Sequence, residues 1–235
     1  MVVSDLQLYL SADGSHTLFH PGVKQHYHST FGAIQESQHV FIEAGLKRAF
    51  ASHRQSAIHI LEIGFGTGLN ALLTLIEAEK ARVRVSYTTI EPFPVARETW
   101  SMLNYPQKLD AFNATAPFMK IHQAEWDHPD QISSHFRLVK IHDTVASALN
   151  KRAGPCFVPD HPFQLVYFDA FGPDAQPELW TPEIFRQIYN RMAKDGALVT
   201  YSVKGDVVRA LKSAGFAVEK LPGPPGKRHI LRATK

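Results

Sequence analysis

The sequence contains a single cysteine, no long apolar run and no basic-then-apolar segment at its start. Cys156 stands alone, which excludes a disulfide within the chain and agrees with a reducing compartment. A membrane-spanning helix needs about 20 consecutive apolar residues, and no such run occurs. Residues 1–6 lack the pattern of a secretory signal. These absences predict a cytoplasmic location and no membrane partner.

Recognisable metal-ligand motifs are missing as well, although the chain has 13 histidines. Neither an H-E-x-x-H segment nor a Cys/His cluster occurs. His26 and His28 alternate on one face of a predicted strand, where a structural role is favoured over metal ligation. The sequence therefore predicts no metal.

The charge distribution is uneven along the 235 residues. Residues 186–235 carry 11 Lys and Arg but only three Asp and Glu, whereas residues 1–185 carry 14 basic and 19 acidic residues. Such asymmetry indicates either an anionic partner near the C-terminal part of the fold or a solvated basic surface. Composition alone does not decide between the two.

Strand and helix patterns alternate from residue 58 onward, which predicts an α/β fold with a mostly parallel sheet. Before this alternation, residues 1–34 are predicted to form an N-terminal β extension with a hairpin at Asp13-Gly14. The length fits a single domain, 1–235, and residues 104–136 fit the alternation poorly enough to predict an insertion or lid. The last two strands lack a crossover helix and should pair antiparallel. The predicted strands are 58–63, 85–90, 137–142, 164–168, 197–202, 216–221 and 228–233, and the predicted helices are 35–50, 69–79, 94–103, 181–194 and 206–214.

The strongest motif follows the strand predicted at 58–63. The motif consists of three alternating glycines, Gly64, Gly66 and Gly68. Glycines let the backbone turn sharply and let a ligand approach it closely. The spacing is not the dinucleotide fingerprint G-x-G-x-x-G, whose third glycine would fall at Leu69, and it is not a Walker A loop. The pattern E-x-G-x-G-x-G resembles the first motif of class I methyltransferases. Their cofactor contains an adenosine and an aminocarboxylate tail.

Acidic residues close the next three predicted strands. Glu91 lies 25 residues beyond Gly66 and is placed to accept both ribose hydroxyl protons. Asp143 is placed to accept from the adenine amino group, and Asp169 lies at the carboxyl edge where open α/β sheets bind ligands. The alternative for each is an ordinary capping or loop acid, but three in succession favour a site.

Longer segments resemble the MnmC-type tRNA methyltransferase family from about residue 30 to the end. Residues 62–70, EIGFGTGLN, are similar to its E-x-G-F-G-T-G-L-N segment, and residues 35–41, QESQHVF, to its E-[ES]-x-H-V-F segment. Residues 168–181, FDAFGPDAQPELWT, resemble its D-[GA]-F-x-P and P-x-[ML]-W-T block, with Ala170 and Gly172 as small departures. Lys227-Arg228 resembles its closing G-x-K-R segment.

This resemblance implies an S-adenosylmethionine-dependent N-methyltransferase with a Rossmann-like sheet. The family methylates the 5-aminomethyl group of the tRNA wobble uridine, so the implied partner is the anticodon region of tRNA. Many members carry a following flavin oxidase domain that prepares the amine. Because the sequence ends at Lys235, a stand-alone enzyme is expected, with the aminomethyl substrate made by a separate enzyme.

The resemblance also implies site residues. Asp169 is expected to be catalytic, holding the amine N–H and favouring proton loss. Substrate contacts are expected from Glu36, Phe171, Lys204, Lys227 and Arg228, although a helix-end charge, a core aromatic or plain surface charges are alternatives. Cofactor contacts are expected from Glu62, Gly64, Phe65, Gly66, Thr67, Gly68, Asn70, Glu91, Pro92, His142, Asp143, Asp169 and Ala170.

Two other interpretations compete with this one. The first is a class I methyl- or aminopropyltransferase acting on a small-molecule or protein amine, which would share the glycine loop and the ribose acid. The second is a catalytically idle Rossmann-like RNA-binding module, which would keep the basic surface but not all three strand-end acids. Cofactor binding separates the second from either enzyme.

Overall fold

The computed structural model describes residues 6–52, 57–109, 113–151 and 161–235, so Cys156 lies outside the described residues. The chain opens with a small antiparallel sheet of three strands, β1 (Gln7–Leu10), β2 (His16–His20) and β3 (Gln25–His26). Gly14 has a φ of 77°, which fits the predicted Asp-Gly turn between the first two strands. The predicted N-terminal β extension is present.

The main sheet has eight described strands in the order β10-β11-β9-β8-β4-β5-β7-β6. They are β4 (Ile58–Ile63), β5 (Val85–Ile90), β6 (Pro129–Ser133), β7 (Phe136–Ile141), β8 (Phe163–Phe168), β9 (Met192–Thr200), β10 (Ala217–Pro222) and β11 (His229–Thr234). The five central strands are parallel, and in sheet order they are β9, β8, β4, β5 and β7. The edges are antiparallel, with β6 on β7 and with β11 between β9 and β10. Both the α/β class and the antiparallel C-terminal pair are confirmed.

Helices cover both faces of this sheet. The α-helices are α1 (Ala33–Ser37), α2 (Lys47–Ser52), α3 (Leu69–Ala81), α4 (Arg97–Trp100), α5 (Tyr105–Lys108), α6 (Thr115–Gln123), α7 (Val145–Asn150), α8 (Pro182–Arg191) and α9 (Gly205–Ser213). Alternate side chains of a strand point to opposite faces, and β4 shows the result. Ile58 and Ile60 enter one apolar core with α3, whereas Leu61 and Ile63 enter a second core with α7, α8 and α9.

Three helix predictions need correction. The helix expected over 181–194 ends at Arg191, and Met192 already begins β9. The helix expected over 35–50 begins at Ala33, and its middle, Gln38–Leu46, is π-helical. Gly45 in this stretch packs directly on the sheet, since a Cβ there would lie 3.1 Å from Cγ2 of Val199. The helix expected over 94–103 is limited to Arg97–Trp100, and Ala96 directly before it is extended, with a ψ of 152°.

The described residues of 104–136 are integrated into the fold. Tyr105, Phe118 and Ile121 are fully or almost fully buried in the core that also contains α3. Strand β6 extends the main sheet at its edge beside β7. The interpretation of this segment as an insertion or lid stays a prediction. None of the described helices is both long and apolar enough to cross a membrane.

Candidate active site

A cavity of about 640 Å³ opens at the carboxyl edge of the parallel strands. It lies where the strand order reverses, because the chain continues from β4 to β5 and β7 on one side and later to β8 and β9 on the other. Open α/β sheets bind ligands at this kind of crevice. One half is lined by the residues that follow β4, β5 and β7, and the other half by the N-terminal segment and the residues that follow β8 and β9.

The glycine loop forms the floor of the first half. Gly64 has a φ of 90°, and a Cβ on it would lie 2.7 Å from the backbone oxygen of Asp169. Gly66 has a φ of 48°, and a Cβ on it would lie 2.9 Å from Cδ1 of Tyr27. A side chain at either position would therefore be strained and would collide with a wall of the cavity. Phe65 and Thr67 line the cavity between and after these glycines.

Glu91 holds the loop and faces the cavity. Its Oε2 accepts a hydrogen bond from the Gly66 N–H at 3.2 Å, and its Oε1 accepts one from the Phe93 N–H at 2.9 Å. Burial raises the pKa of Glu91 to about 7. A carboxylate in this position has further lone pairs with which to accept hydroxyl protons.

Asp169 is linked to Glu62 through the side-chain amide of Asn70. The Asn70 Nδ2 donates to Oδ2 of Asp169 at 2.8 Å and to Oε1 of Glu62 at 3.1 Å. Burial and the nearby charge of Glu36 together raise the pKa of Asp169 to about 7. Burial also raises the pKa of the fully buried Glu62 to about 8. Asp169 is therefore poised to exchange a proton near neutral pH.

Glu36, Lys227 and Tyr201 lie in the second half of the cavity. The Lys227 Nζ is 2.5 Å from Oε1 of Glu36 and 4.1 Å from the centre of the Tyr201 ring. The other carboxylate oxygen of Glu36 accepts the Ser29 N–H at 2.7 Å. This cluster joins α1 to the loop before β11 beside Asp169. Phe171 lines the same half, with its ring edge-on to Tyr27.

The N-terminal extension supplies cavity residues that the sequence interpretation missed. His28 is buried, and its Nε2 lies 2.7 Å from Oγ1 of Thr67 in the glycine loop. Burial lowers the pKa of His28 to about 4, so its ring is neutral at physiological pH. Tyr105 donates to the same Thr67 hydroxyl at 3.2 Å. No pattern in residues 25–31 marks this contact, because it depends on how the small sheet packs against the main one.

Several predicted site residues lie off the cavity wall. Asp143 is paired with Lys151 at 2.5 Å, and its Oδ1 accepts the Thr144 N–H at 2.8 Å. Lys204 pairs with Asp174 on the surface. The cavity is lined instead by Thr144, Val145 and Ala146, which directly follow Asp143 at the start of α7. The predicted residues that do not line it are Glu62, Gly68, Asn70, His142, Asp143, Lys204 and Arg228, whereas Gly64, Phe65, Gly66, Thr67, Glu91, Pro92, Asp169, Ala170, Glu36, Phe171 and Lys227 do.

Comparison with known proteins agrees with this geometry. Residues 141–235 match a family described as S-adenosyl-L-methionine-dependent methyltransferase. The chain is 33% identical over 227 residues to the tRNA 5-methylaminomethyl-2-thiouridine biosynthesis bifunctional protein MnmC of Cupriavidus necator, covering 93% of this chain and 32% of that protein. The chain is a relative of the MnmC proteins. The expected family resemblance is thereby confirmed.

Further similarities are consistent with that assignment. The MnmC protein of Idiomarina loihiensis is 30% identical over 218 residues, which cover 87% of this chain and 34% of that protein. The chain thus spans about a third of the length of these MnmC relatives. A crystal structure of MNMC2 from Aquifex aeolicus has a TM-score of 0.80 at 24% identity, covering 98% of this chain and 70% of that chain. This likeness shows the shared fold.

The cavity fits the S-adenosylmethionine of this methyltransferase family. Glycines at 64 and 66 leave backbone exposed where side chains would block a ligand, and Glu91 presents a carboxylate suited to ribose hydroxyls. Pro92, Phe93 and Val145 provide an apolar wall for a purine. Within the part of the chain that the structure describes, no cluster of three His, Cys, Asp or Glu residues is arranged to hold a metal ion.

Proposed function

We propose that this chain is an S-adenosylmethionine-dependent N-methyltransferase that converts the 5-aminomethyl group of the tRNA wobble uridine to 5-methylaminomethyl. The observation that carries the proposal is the position of Asp169. Its carboxylate, with a pKa raised to about 7, lies where the glycine-loop half of the cavity meets the half lined by Glu36 and Lys227. A proton acceptor therefore lies between the half of the cavity proposed to bind the cofactor and the half proposed to bind the amine substrate.

The chain's own groups then prepare an amine for methylation. Bound S-adenosylmethionine supplies a methyl group that is already activated on a sulfonium. Asn70 fixes the Asp169 carboxylate through Oδ2, and Asp169 accepts the amine N–H and takes the proton of an arriving ammonium. The amine nitrogen regains its lone pair, and the enclosing aromatic walls exclude water. Glu62, held by the same Asn70 amide, is a positioning residue behind the site.

The relatives and the charge distribution support tRNA as the substrate. The MnmC relatives are named for tRNA 5-methylaminomethyl-2-thiouridine biosynthesis, and a methylaminomethyl group is the product expected from methylation of an aminomethyl group. Residues 186–235 supply the basic excess, with Lys227 at the cavity and with Lys204 and Arg228 exposed outside it. Phosphate contacts of this kind hold RNA without reading its sequence.

The remaining assignments follow from the same proposal. Residues 1–235 act as one methyltransferase domain, and a tRNA substrate places the reaction in the cytoplasm. A separate reaction must install the aminomethyl group at carbon 5 before this chain acts. Phe171 walls the uridine, while Glu91 binds the ribose of the cofactor.

A small-molecule amine is the second candidate substrate. The described cavity wall contains four carboxyl groups, Glu36, Glu91, Asp169 and Glu178, but only one Lys or Arg, Lys227. A wall of this charge would suit a polyamine acted on by a methyl- or aminopropyltransferase. The similarity to the MnmC proteins favours tRNA, and the two candidates give different products.

Transfer of labelled methyl from S-adenosylmethionine tests the proposal directly. The acceptors are tRNA carrying the aminomethyl wobble uridine, the same tRNA without that modification, and spermidine. Label on the aminomethyl tRNA alone is the expected result. Label on spermidine alone would establish the second candidate, and cofactor binding without label on any acceptor would overturn both.

A further inference from the structure

Phe31 is a large apolar side chain left exposed at the mouth of the active-site cavity. Its side chain is 56% exposed although it lines the cavity together with Gly226 and Lys227. Among the described residues no aromatic ring is in stacking contact with it. Because the ring lines the rim of the cavity, it is available to a ligand that enters the site.

The ring is held in place by its surroundings. It rests against Gly226, where φ is 84° and a Cβ would lie 2.6 Å from Cγ and 2.7 Å from Cε2 of Phe31. Its own loop is fixed on both sides, because the Thr30 carbonyl accepts the Ala12 N–H at 2.9 Å and the Gly32 carbonyl accepts the Glu36 N–H at 3.1 Å. Little conformational entropy is therefore lost when a partner contacts the ring.

The charge beside the ring indicates what that partner is. Lys227 and the exposed Arg228 follow Gly226 directly, in a C-terminal segment with an excess of basic residues. Aromatic rings interleaved with basic side chains are the pattern by which proteins hold single-stranded nucleic acid, with bases on the rings and phosphates on the cations. A protein or membrane partner would not require an isolated ring at the rim of a deep cavity.

We infer that Phe31 is a stacking platform for a nucleobase next to the nucleotide whose base enters the cavity. This inference rests on the proposed function and adds a determinant of substrate length. The base in the cavity is bound by the pocket itself, whereas Phe31 contacts only a longer RNA. The enzyme should therefore distinguish an anticodon loop from a free nucleoside through this ring.

The test compares Phe31→Ala, Phe31→Trp and the wild-type enzyme on two substrates, an anticodon stem-loop carrying 5-aminomethyluridine and the free nucleoside. Removing one base-stacking side chain is expected to lower kcat/KM on the stem-loop by about 10- to 100-fold. The nucleoside rate and the dissociation constant for S-adenosylmethionine should stay within about twofold of wild type, while Phe31→Trp should retain activity. Leu10→Ala is the matched control, because Leu10 is 61% exposed but lies outside the cavity wall.

A binding measurement separates this inference from the proposed function. Titration of Phe31→Trp with the unmodified stem-loop should quench the fluorescence of the new tryptophan, whether or not methyl transfer occurs. Methylation of the stem-loop with Phe31→Ala equal to wild type would overturn stacking and leave the proposed function standing. RNA binding that depends on Phe31 without any methylation would support stacking and overturn the proposed function. Equal losses of activity on both substrates would overturn stacking and show that the ring only forms part of the cavity wall.

Discussion

At the scale of single residues, the chemistry depends on a carboxylate whose pKa is set by its surroundings. Asp169 is buried beside the charge of Glu36, and both effects raise its pKa to about 7. Asn70 opposes this by donating a hydrogen bond to Oδ2. A carboxylate balanced in this way is ionised in the upper part of the physiological pH range and can accept a proton there.

Asp169→Asn should reduce kcat by about 10²- to 10⁴-fold, because a neutral amide cannot take the proton of the amine. The dissociation constant for S-adenosylmethionine, measured by calorimetry, should change far less. The wild-type rate should decrease as the pH is lowered through an apparent pKa near 7. The residual activity of the variant should not show this decrease. Asp206→Asn is the control, since Asp206 is exposed on α9 and paired with Arg209. Full turnover by Asp169→Asn would remove Asp169 from the catalytic role.

At the scale of elements, the glycine loop is held from three directions. Glu91 at the end of β5 accepts its Gly66 N–H, His28 from the N-terminal segment contacts Thr67, and Asp169 after β8 packs against Gly64. These contacts join the small N-terminal sheet to the main sheet at the cavity. The loop is thus a rigid part of the site before any ligand binds.

Gly66→Ala should weaken S-adenosylmethionine binding by at least about tenfold. Its φ of 48° is unfavourable for alanine, and the added Cβ would lie 2.9 Å from the Tyr27 ring, so the loop must shift. Equilibrium dialysis with labelled cofactor measures the effect. Gly205→Ala serves as the control, because Gly205 is exposed at the start of α9 and an added Cβ there meets only the flexible Arg209 side chain. Equal affinity in the Gly66 variant would show that the loop does not form the cofactor floor.

At the scale of the whole molecule, stability and activity should respond to pH in opposite directions. Burial raises the pKa of Glu62 to about 8, and those of Glu91 and Asp169 to about 7. The folded state therefore holds protons that the unfolded state has already released. Burial lowers the pKa of His28 and His59 to about 4, but these rings are neutral in both states above about pH 6.5.

The free energy of unfolding of the ligand-free protein should accordingly fall by on the order of 2 kcal/mol between pH 6.5 and 8. In this window the folded state binds more protons than the unfolded state, so stability decreases as pH rises. Urea unfolding at the two pH values measures the change. Glu62→Gln should reduce the decrease, because its amide does not ionise. A stability that rises over this window would contradict the raised carboxyl pKa values.

The amino-acid sequence alone is enough to place the central strands and the positions of the glycine loop and the strand-end acids along the chain. Strands β4 and β5 lie at the predicted residues, because their apolar runs and the glycines or Glu91-Pro92 that end them act over a few neighbours. The glycine loop, Glu91 and Asp169 meet at one edge because parallel strands place their carboxyl ends together.

Which side chains line the cavity depends on the three-dimensional packing of the chain. Asp143 pairs with Lys151, which directly follows α7, and the residues after Asp143 line the cavity instead. His28, Phe31 and Tyr201 reach the cavity from segments far apart in the chain, through contacts between the small sheet, the loop before β11 and the main sheet. Long-range packing of this kind leaves no periodic signal in sequence, because each residue's role depends on a partner more than 25 positions away.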